Sequence, residues 1–271
     1  ARGVRTAQYA GHRSQDRDQG SEPWQVTVPD RFNDEDLIER EAAMGRSNFM
    51  LQFMLDTSLS DAEKFPLKMA DLIVTSVNPT SAPDSIVWCS DPRNVIKELP
   101  TVGLPGDYFY SPMQLQGDWG PYTETICSVD PSGRGTDETA AAYISQRNGF
   151  LYLHEMRAYR DGYSDSTLLD ILRGCKKFNV TKLLIETNFG DGMATQLLKP
   201  IMAKIHPCEI EEVRHNTQKE KRIIDTLEPL MNSHRLVVDD LLINEDFKNE
   251  PDHQLFRQMT RLTRDKGSLR H

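Results

Sequence analysis

Two acidic residues each close an apolar, strand-like run: Asp130 follows TICSV and Glu186 follows LLI. If those runs lie side by side, both carboxylates emerge at one edge of a sheet. Carboxylates that close repel and shift each other's pKa unless a cation lies between them. An all-oxygen ligand set favours Mg or Mn, bound at about 2.1 Å with waters left for substrate oxygens to replace. Two divalent metal ions about 3.5–4 Å apart activate a water and stabilise the leaving oxygen of a phosphodiester. The competing description of each acid is a solvated strand end, and spacing alone leaves both open.

Basic side chains suited to phosphate fall in two places. Arg214, Lys219, Lys221 and Arg222 cluster ahead of and within one predicted helix, and Arg257, Arg261 and Arg264 recur at i, i+4, i+7 in PDHQLFRQMTRLTR. Leu255, Met259 and Leu262 repeat at the same spacing, so the pattern predicts an arginine stripe on the helix face away from the core. Such a stripe positions a duplex through its phosphates without reading bases; a solvated face is the alternative. No aromatic-rich strand surface suggests base stacking, so little sequence specificity is expected.

The elements that must hold these residues follow in order. TETICSVD reads as a buried strand and PSGRGTDE as a glycine-bearing turn. AAAYISQR and FLYLHEMRAY are strands joined by Asn148-Gly149, a strong hairpin signal. SDSTLLDILRGCKKFN predicts a helix with Leu168, Leu169, Ile171, Leu172 and Cys175 on its apolar side. A strand KLLIET, a helix from about 191 to 206, a strand EIEEVR, a helix NTQKEKRIIDTLEPLMNS, a strand RLVVDD and a final helix complete the series. An antiparallel trio followed by strands alternating with helices indicates an α/β fold, a mixed sheet with helices on both faces.

Whole-chain numbers set the limits. The 271 residues carry 32 basic and 41 acidic side chains, a net charge of −9, with 38% hydrophobic residues. This length suggests one or two domains, and a mean hydropathy of −0.57 describes a soluble globular protein. No apolar run is long enough to span a bilayer, and ARGVRTAQYAGHRS lacks the apolar segment of a secretory signal. Cys89, Cys127, Cys175 and Cys208 are too far apart for a zinc motif and are expected as reduced thiols in a cytoplasmic protein.

Composition changes near residue 121. Residues 1–121 hold ten of the fifteen prolines and a net charge of −7, against −2 for 122–271. The first part is expected to be helical, then proline-rich and extended, over 79–121. Its helix has Asn33 as N-cap and resumes after Gly45, with Phe49, Met50, Phe53 and Met54 as core residues. No glycine-rich phosphate loop ending in Lys-Ser or Lys-Thr occurs, so the ATPase motif is absent from this piece.

Three strings in order, SVDPSGRGTDETA, LLIETNFGDGM and VRHNTQKEKRIIDTLEPLMNSHRLVV, resemble the nuclease domain of phage terminase large subunits, particularly the DNA-packaging proteins of short-tailed podophages. Upstream, EPWQVTVPDRFNDEDL and FMLQFMLDTSLSDAEKFPL are similar to the segment linking the packaging ATPase to the nuclease. The resemblance implies an RNase H-like nuclease domain over 122–271 and an ATPase-end or linker segment over 1–121. The implied activity is metal-dependent endonuclease cleavage of concatemeric double-stranded DNA during viral genome packaging. The implied partners are DNA, the portal protein and the small terminase subunit, in the host cytoplasm and transiently at the procapsid portal, with no membrane.

By the same resemblance Asp130 corresponds to the first metal ligand and Glu186 to the second, with Asp137 as an auxiliary acid and Arg134 as a basic residue near the scissile phosphate. A hydrogen-bonded turn carboxylate is the alternative for Asp137, and a surface turn arginine for Arg134. The family's third carboxylate opens a helix after a stretch similar to KGSLRH, which puts it just beyond His271; Asp239 or Asp240 is the alternative within the chain. Two other functions compete. One is an actin-like or sugar-kinase phosphotransferase, which also opens with three strands and a turn like DPSGRGTDET but needs a second nucleotide-binding half. The other is a non-catalytic docking module for portal or capsid on the same sheet.

Overall fold

A computed structural model describes residues 65–132, 138–187, 192–265 and 267, together with Asp36, Glu39, Arg40, Phe49, Gln52 and Lys64, which are helical. The expected cap at Asn33, the break at Gly45 and the core positions Met50, Phe53 and Met54 lie outside the described residues; Phe49 is buried as expected. The chain divides into two compact units, residues 1–65 and 66–271.

The second unit is built on a seven-stranded mixed sheet. Its strands are β1 (Ile73–Thr75), β4 (Glu124–Asp130), β5 (Thr139–Arg147), β6 (Phe150–Tyr159), β7 (Lys182–Glu186), β8 (Glu209–Val213) and β9 (Leu236–Asp239), in the spatial order β1-β9-β6-β5-β4-β7-β8. The strands β2 (Ser81–Val87) and β3 (Gln114–Pro121) form a separate antiparallel ribbon. β4, β5 and β6 are the antiparallel trio, and β5 turns into β6 through Asn148 and Gly149, both at positive φ (48° and 79°). That is the conformation an Asn-Gly hairpin turn requires. β7 and β8 then add in parallel beside β4, giving the RNase H-like mixed α/β arrangement.

The helices are α1 (Asp165–Lys177), α2 (Met193–Ile205), α3 (Lys219–Asn232), α4 (Asp240–Asp246) and α5 (Leu255–Met259). Ser164 opens α1 as N-cap, its hydroxyl accepting the Thr167 amide, and Leu168, Ile171, Leu172 and Cys175 are buried as the spacing predicted. Leu169 is only half-buried. On one face of the sheet these residues pack with α2 against Cys127, Val129, Tyr143, Leu183 and Ile185. On the other face Ile224 and Met231 of α3, Leu242 and Ile243 of α4, and Phe256 of α5 pack over Val74 and Val238. Side chains alternate across a strand, so with Val129 and Ile185 facing α1 and α2, their neighbours Asp130 and Glu186 face α3.

The composition break at 121 is not a break in packing. Leu67, Met69, Leu72 and Phe109 are fully buried in the same core as α3, and β1 pairs in parallel with β9. The Asp107 carboxylate accepts the amides of Met69 and Ala70, at 3.0 and 2.8 Å, which pins the proline-rich chain back onto the turn that precedes β1. The extended character expected for 79–121 includes two paired strands, with Pro83 at the irregularity in their register.

The final helix also differs from expectation. α5 is five residues long, ending at Met259, so Arg257, Arg261 and Arg264 do not form a helical stripe. Phe256 and Leu262 are both buried in one cluster, but residues six apart lie about 120° apart around a continuous helix. The chain leaves the helix at Thr260, whose hydroxyl donates back to the Phe256 carbonyl at 2.9 Å, and turns so that both reach the core.

Candidate active site

The β4–β7 ladder runs from Ile126↔Lys182 to Val129↔Ile185, and the next pair in that register is Asp130 with Glu186. The two carboxylates therefore stand on adjacent parallel strands about 4.8 Å apart, at the C-terminal ends and on the face covered by α3. The first turn of α3 supplies their counter-charges. Lys219 Nζ lies 2.8 Å from Asp130 Oδ2, and Arg222 Nη2 lies 3.7 Å from Glu186 Oε1. Spaced i, i+3, the two cations share one helix face. Cations near a helix N-terminus oppose the macrodipole at a cost of about 0.3–1 kcal/mol each, so the acids of the sheet, not the helix, favour them there. The Asp130 and Lys219 side chains are 47% and 54% exposed, those of Glu186 and Arg222 19% and 22%. One pair is open to solvent and the other is largely covered.

Arg214 joins the same edge. It follows β8, and its Nε donates to the Thr187 hydroxyl at 3.3 Å, one residue beyond Glu186. Lys221 is exposed on α3. Just after β4 the Ser132 amide donates to Thr139 Oγ1 at 3.0 Å, both side chains being buried. Glu138 holds Arg160 at 2.9 Å and His253 at 3.2 Å, tying the start of β5 to the end of β6 and to the 251–253 turn. Arg134 and Asp137 lie outside the described residues.

Tyr163 carried no signal in the sequence. Its hydroxyl is buried without a hydrogen-bond partner among the described residues. Burial, and secondarily the Asp130 charge, raise its pKa. Among the described residues no group of three or more His, Cys, Asp or Glu side chains is placed to hold a metal; the donors at this edge are the two carboxylates. As hard oxygen donors, Asp130 half open to solvent and Glu186 largely covered, they fit part of a divalent-cation site.

Residues 129–236 match the family model described as the Ribonuclease H-like domain of the bacteriophage T7 terminase. Over that span the chain is similar to a terminase RNase H-like domain. The chain is 42% identical over 255 residues to the terminase large subunit of Enterobacteria phage T3, an alignment covering 91% of this chain and 44% of that protein. It thus spans less than half the length of that relative. Solved structures similar to it include a human cytomegalovirus terminase nuclease domain, Mn soaked and inhibitor bound. That likeness has a TM-score of 0.41 and 12% identity, covering 53% of this chain and 75% of the other. The large terminase nuclease from thermophilic phage G20c aligns with a TM-score of 0.37 and 10% identity, covering 69% and 77%.

Elsewhere in the second unit the remaining predicted residues separate from this edge. β9 is parallel to β6, and hence to β4, so Asp239 points to the same end of the sheet. It lies three strands from Asp130, about 14 Å across, so neither it nor its neighbour Asp240 is brought to the Asp130–Glu186 edge. The Asp239 carboxylate instead accepts the Leu241 amide at 2.9 Å as N-cap of α4, and the Val77 amide at 3.2 Å. Burial raises its pKa. Arg264 is engaged with Asp225 and Glu228 on the outer side of α3, and Gln218 donates to its carbonyl at 3.0 Å. Arg257 is half-buried on α5 and Arg261 is exposed in the turn after it.

Proposed function

We propose that this chain is the metal-dependent endonuclease part of a viral DNA-packaging terminase, hydrolysing phosphodiester bonds of concatemeric double-stranded DNA. The observation that carries the reading is the pairing of Asp130 with Glu186 at the adjacent ends of β4 and β7, facing the cationic first turn of α3. Asp130 and Glu186 would hold the divalent metal, Mg or Mn, with two ions as the working number. When bound, such ions supply Lewis-acid stabilisation of the phosphodiester and an activated water. Lys219, Arg222, Arg214 and Lys221 bind and orient the phosphate backbone alongside. Arg257 and Arg261 serve as outlying phosphate contacts. Arg264 reaches DNA only by leaving its carboxylate partners; Arg134 as a phosphate contact and Asp137 as an auxiliary acid follow from the resemblance alone. Residues 1–121 contain the segment that links this part to the packaging ATPase. The portal protein and small terminase subunit are the protein partners, in the host cytoplasm at the procapsid portal.

The test is cleavage of plasmid DNA with Mn or Mg, with and without chelator. Asp130→Asn and Glu186→Gln are expected to abolish cleavage while keeping the wild-type circular dichroism spectrum. Cleavage by either purified variant at the wild-type rate overturns the site.

A further inference from the structure

We propose that Lys219 gates the metal site: it holds Asp130 until a divalent cation takes the carboxylate and a DNA phosphate takes the lysine, so that metal and duplex bind cooperatively. The inference rests on the metal-dependent reading of Asp130 and Glu186 given above and adds an order of occupancy to it. Lys219 Nζ sits 2.8 Å from Asp130 Oδ2, within hydrogen-bond distance of the oxygen a cation would use. A divalent ion bound at about 2.1 Å from that oxygen would sit roughly 4 Å from the ammonium, and the repulsion between the like charges favours the lysine's departure.

The fold makes departure easy for Lys219 and hard for its neighbour. Lys219 is the first residue of α3, where the helix dipole disfavours a cation, and its side chain is 54% exposed on a flexible four-carbon stem. Gln218 makes no side-chain cap of the helix; its amide is committed to the Arg264 carbonyl. Arg222, only 22% exposed, stays beside Glu186. A displaced ammonium at the edge of the site needs a new anion, and a phosphate lying against the first turn of α3 supplies one. Coupling of this kind is reciprocal: metal strengthens DNA binding by the factor with which DNA strengthens metal binding. The pair being replaced is exposed, so the factor is modest, about two- to fivefold.

The experiment measures Mn²⁺ affinity from the free-ion electron paramagnetic resonance signal, with and without a short phosphorothioate duplex. It compares wild type, Lys219→Met, Lys219→Arg and Asp130→Asn. Lys219→Met is expected to bind Mn²⁺ about two- to fivefold more tightly than wild type without DNA, and to lose the gain that the duplex gives wild type. Lys219→Arg keeps the pair and should behave as wild type; Lys219→Gln replaces the methionine variant if that protein folds poorly. Methionine or glutamine variants that bind Mn²⁺ no better than wild type, including the case where none binds, overturn the gate. If Asp130→Asn loses the ion while Lys219→Met is unchanged, only the gate falls. If Asp130→Asn binds Mn²⁺ as wild type does, the metal reading falls and the gate with it.

Discussion

Asp130 and Asp239 end apolar strands that point the same way in one sheet, yet their carboxylates are used in opposite manners. Asp239 is 8% exposed and receives two backbone amides, from Leu241 and Val77. Asp130 is half exposed and is met by the side chain of Lys219. Backbone donors cannot move without unfolding the turn that carries them, so Asp239 is committed to the fold. A lysine on a long stem exchanges readily, so Asp130 is available for another cation. What distinguishes a structural acid from a candidate ligand here is the kind of donor it has, since sequence context and sheet edge are shared.

The sharpest way to break this contrast is the same conservative change at both places. Asp130→Asn should abolish metal-dependent plasmid cleavage, whereas Asp239→Asn, which keeps N-cap capacity, should leave it within about twofold. Equal losses in the two variants would mean that both acids act through the fold.

Next in size is a pH effect in the sheet that both acids share. His154 is buried on β6, its Nε2 2.7 Å from Ser145 Oγ, which is 2.8 Å from Thr125 Oγ1. Burial, with help from the Lys177 charge, pushes its pKa down to about 4. Between the ordinary value near 6.5 and that folded value the unfolded chain carries the extra proton, so stability present above about pH 6.5 is lost on acidification, by up to about 3 kcal/mol near pH 4. Urea unfolding at pH 7.5 and 4.5 should show a smaller pH difference for His154→Gln than for wild type. Parallel curves for the two proteins would remove His154 from the acid response.

Smaller again is the cap itself. Asp239→Ala should cost about 1–2 kcal/mol in the same assay, against a few tenths for Asp239→Asn. The smallest effect completes the contrast: Lys219→Met should change stability by no more than about 0.5 kcal/mol. A loss above 1 kcal/mol would make Lys219 a structural partner like the amides at Asp239.

The sequence legible by pattern was the part whose local and tertiary demands agree. Alternating strands, the Asn148-Gly149 turn and the Ser164 cap specify β4 to β8 and α1 with little outside help. The adjacency of Asp130 and Glu186 then follows from the order of strands. The rest depended on distant partners. β1 is three residues long and exists because β9 offers a parallel neighbour. The 66–109 chain is proline-interrupted, and its burial rests on isolated positions such as Leu67 and Phe109 and on the reach of Asp107 to the 69–71 turn. α5 stops early because Leu262 must share a cluster with Phe256, a requirement that the i, i+4, i+7 arginines concealed. Lys219 was visible as a basic residue; that it faces Asp130 needed the fold.

β8 has a further effect through its charge. This outermost strand carries Glu209, Glu211 and Glu212, all exposed, with Lys182 offsetting the first two in part. A polyanion drifting toward the carboxylates from that side is repelled, while from the α3 side it meets Lys219, Lys221 and Arg222. The sheet thus works as an electrostatic one-way approach. The same row of glutamates lies along an outermost strand of the described sheet, where like charges on the edge disfavour pairing with a second copy of it.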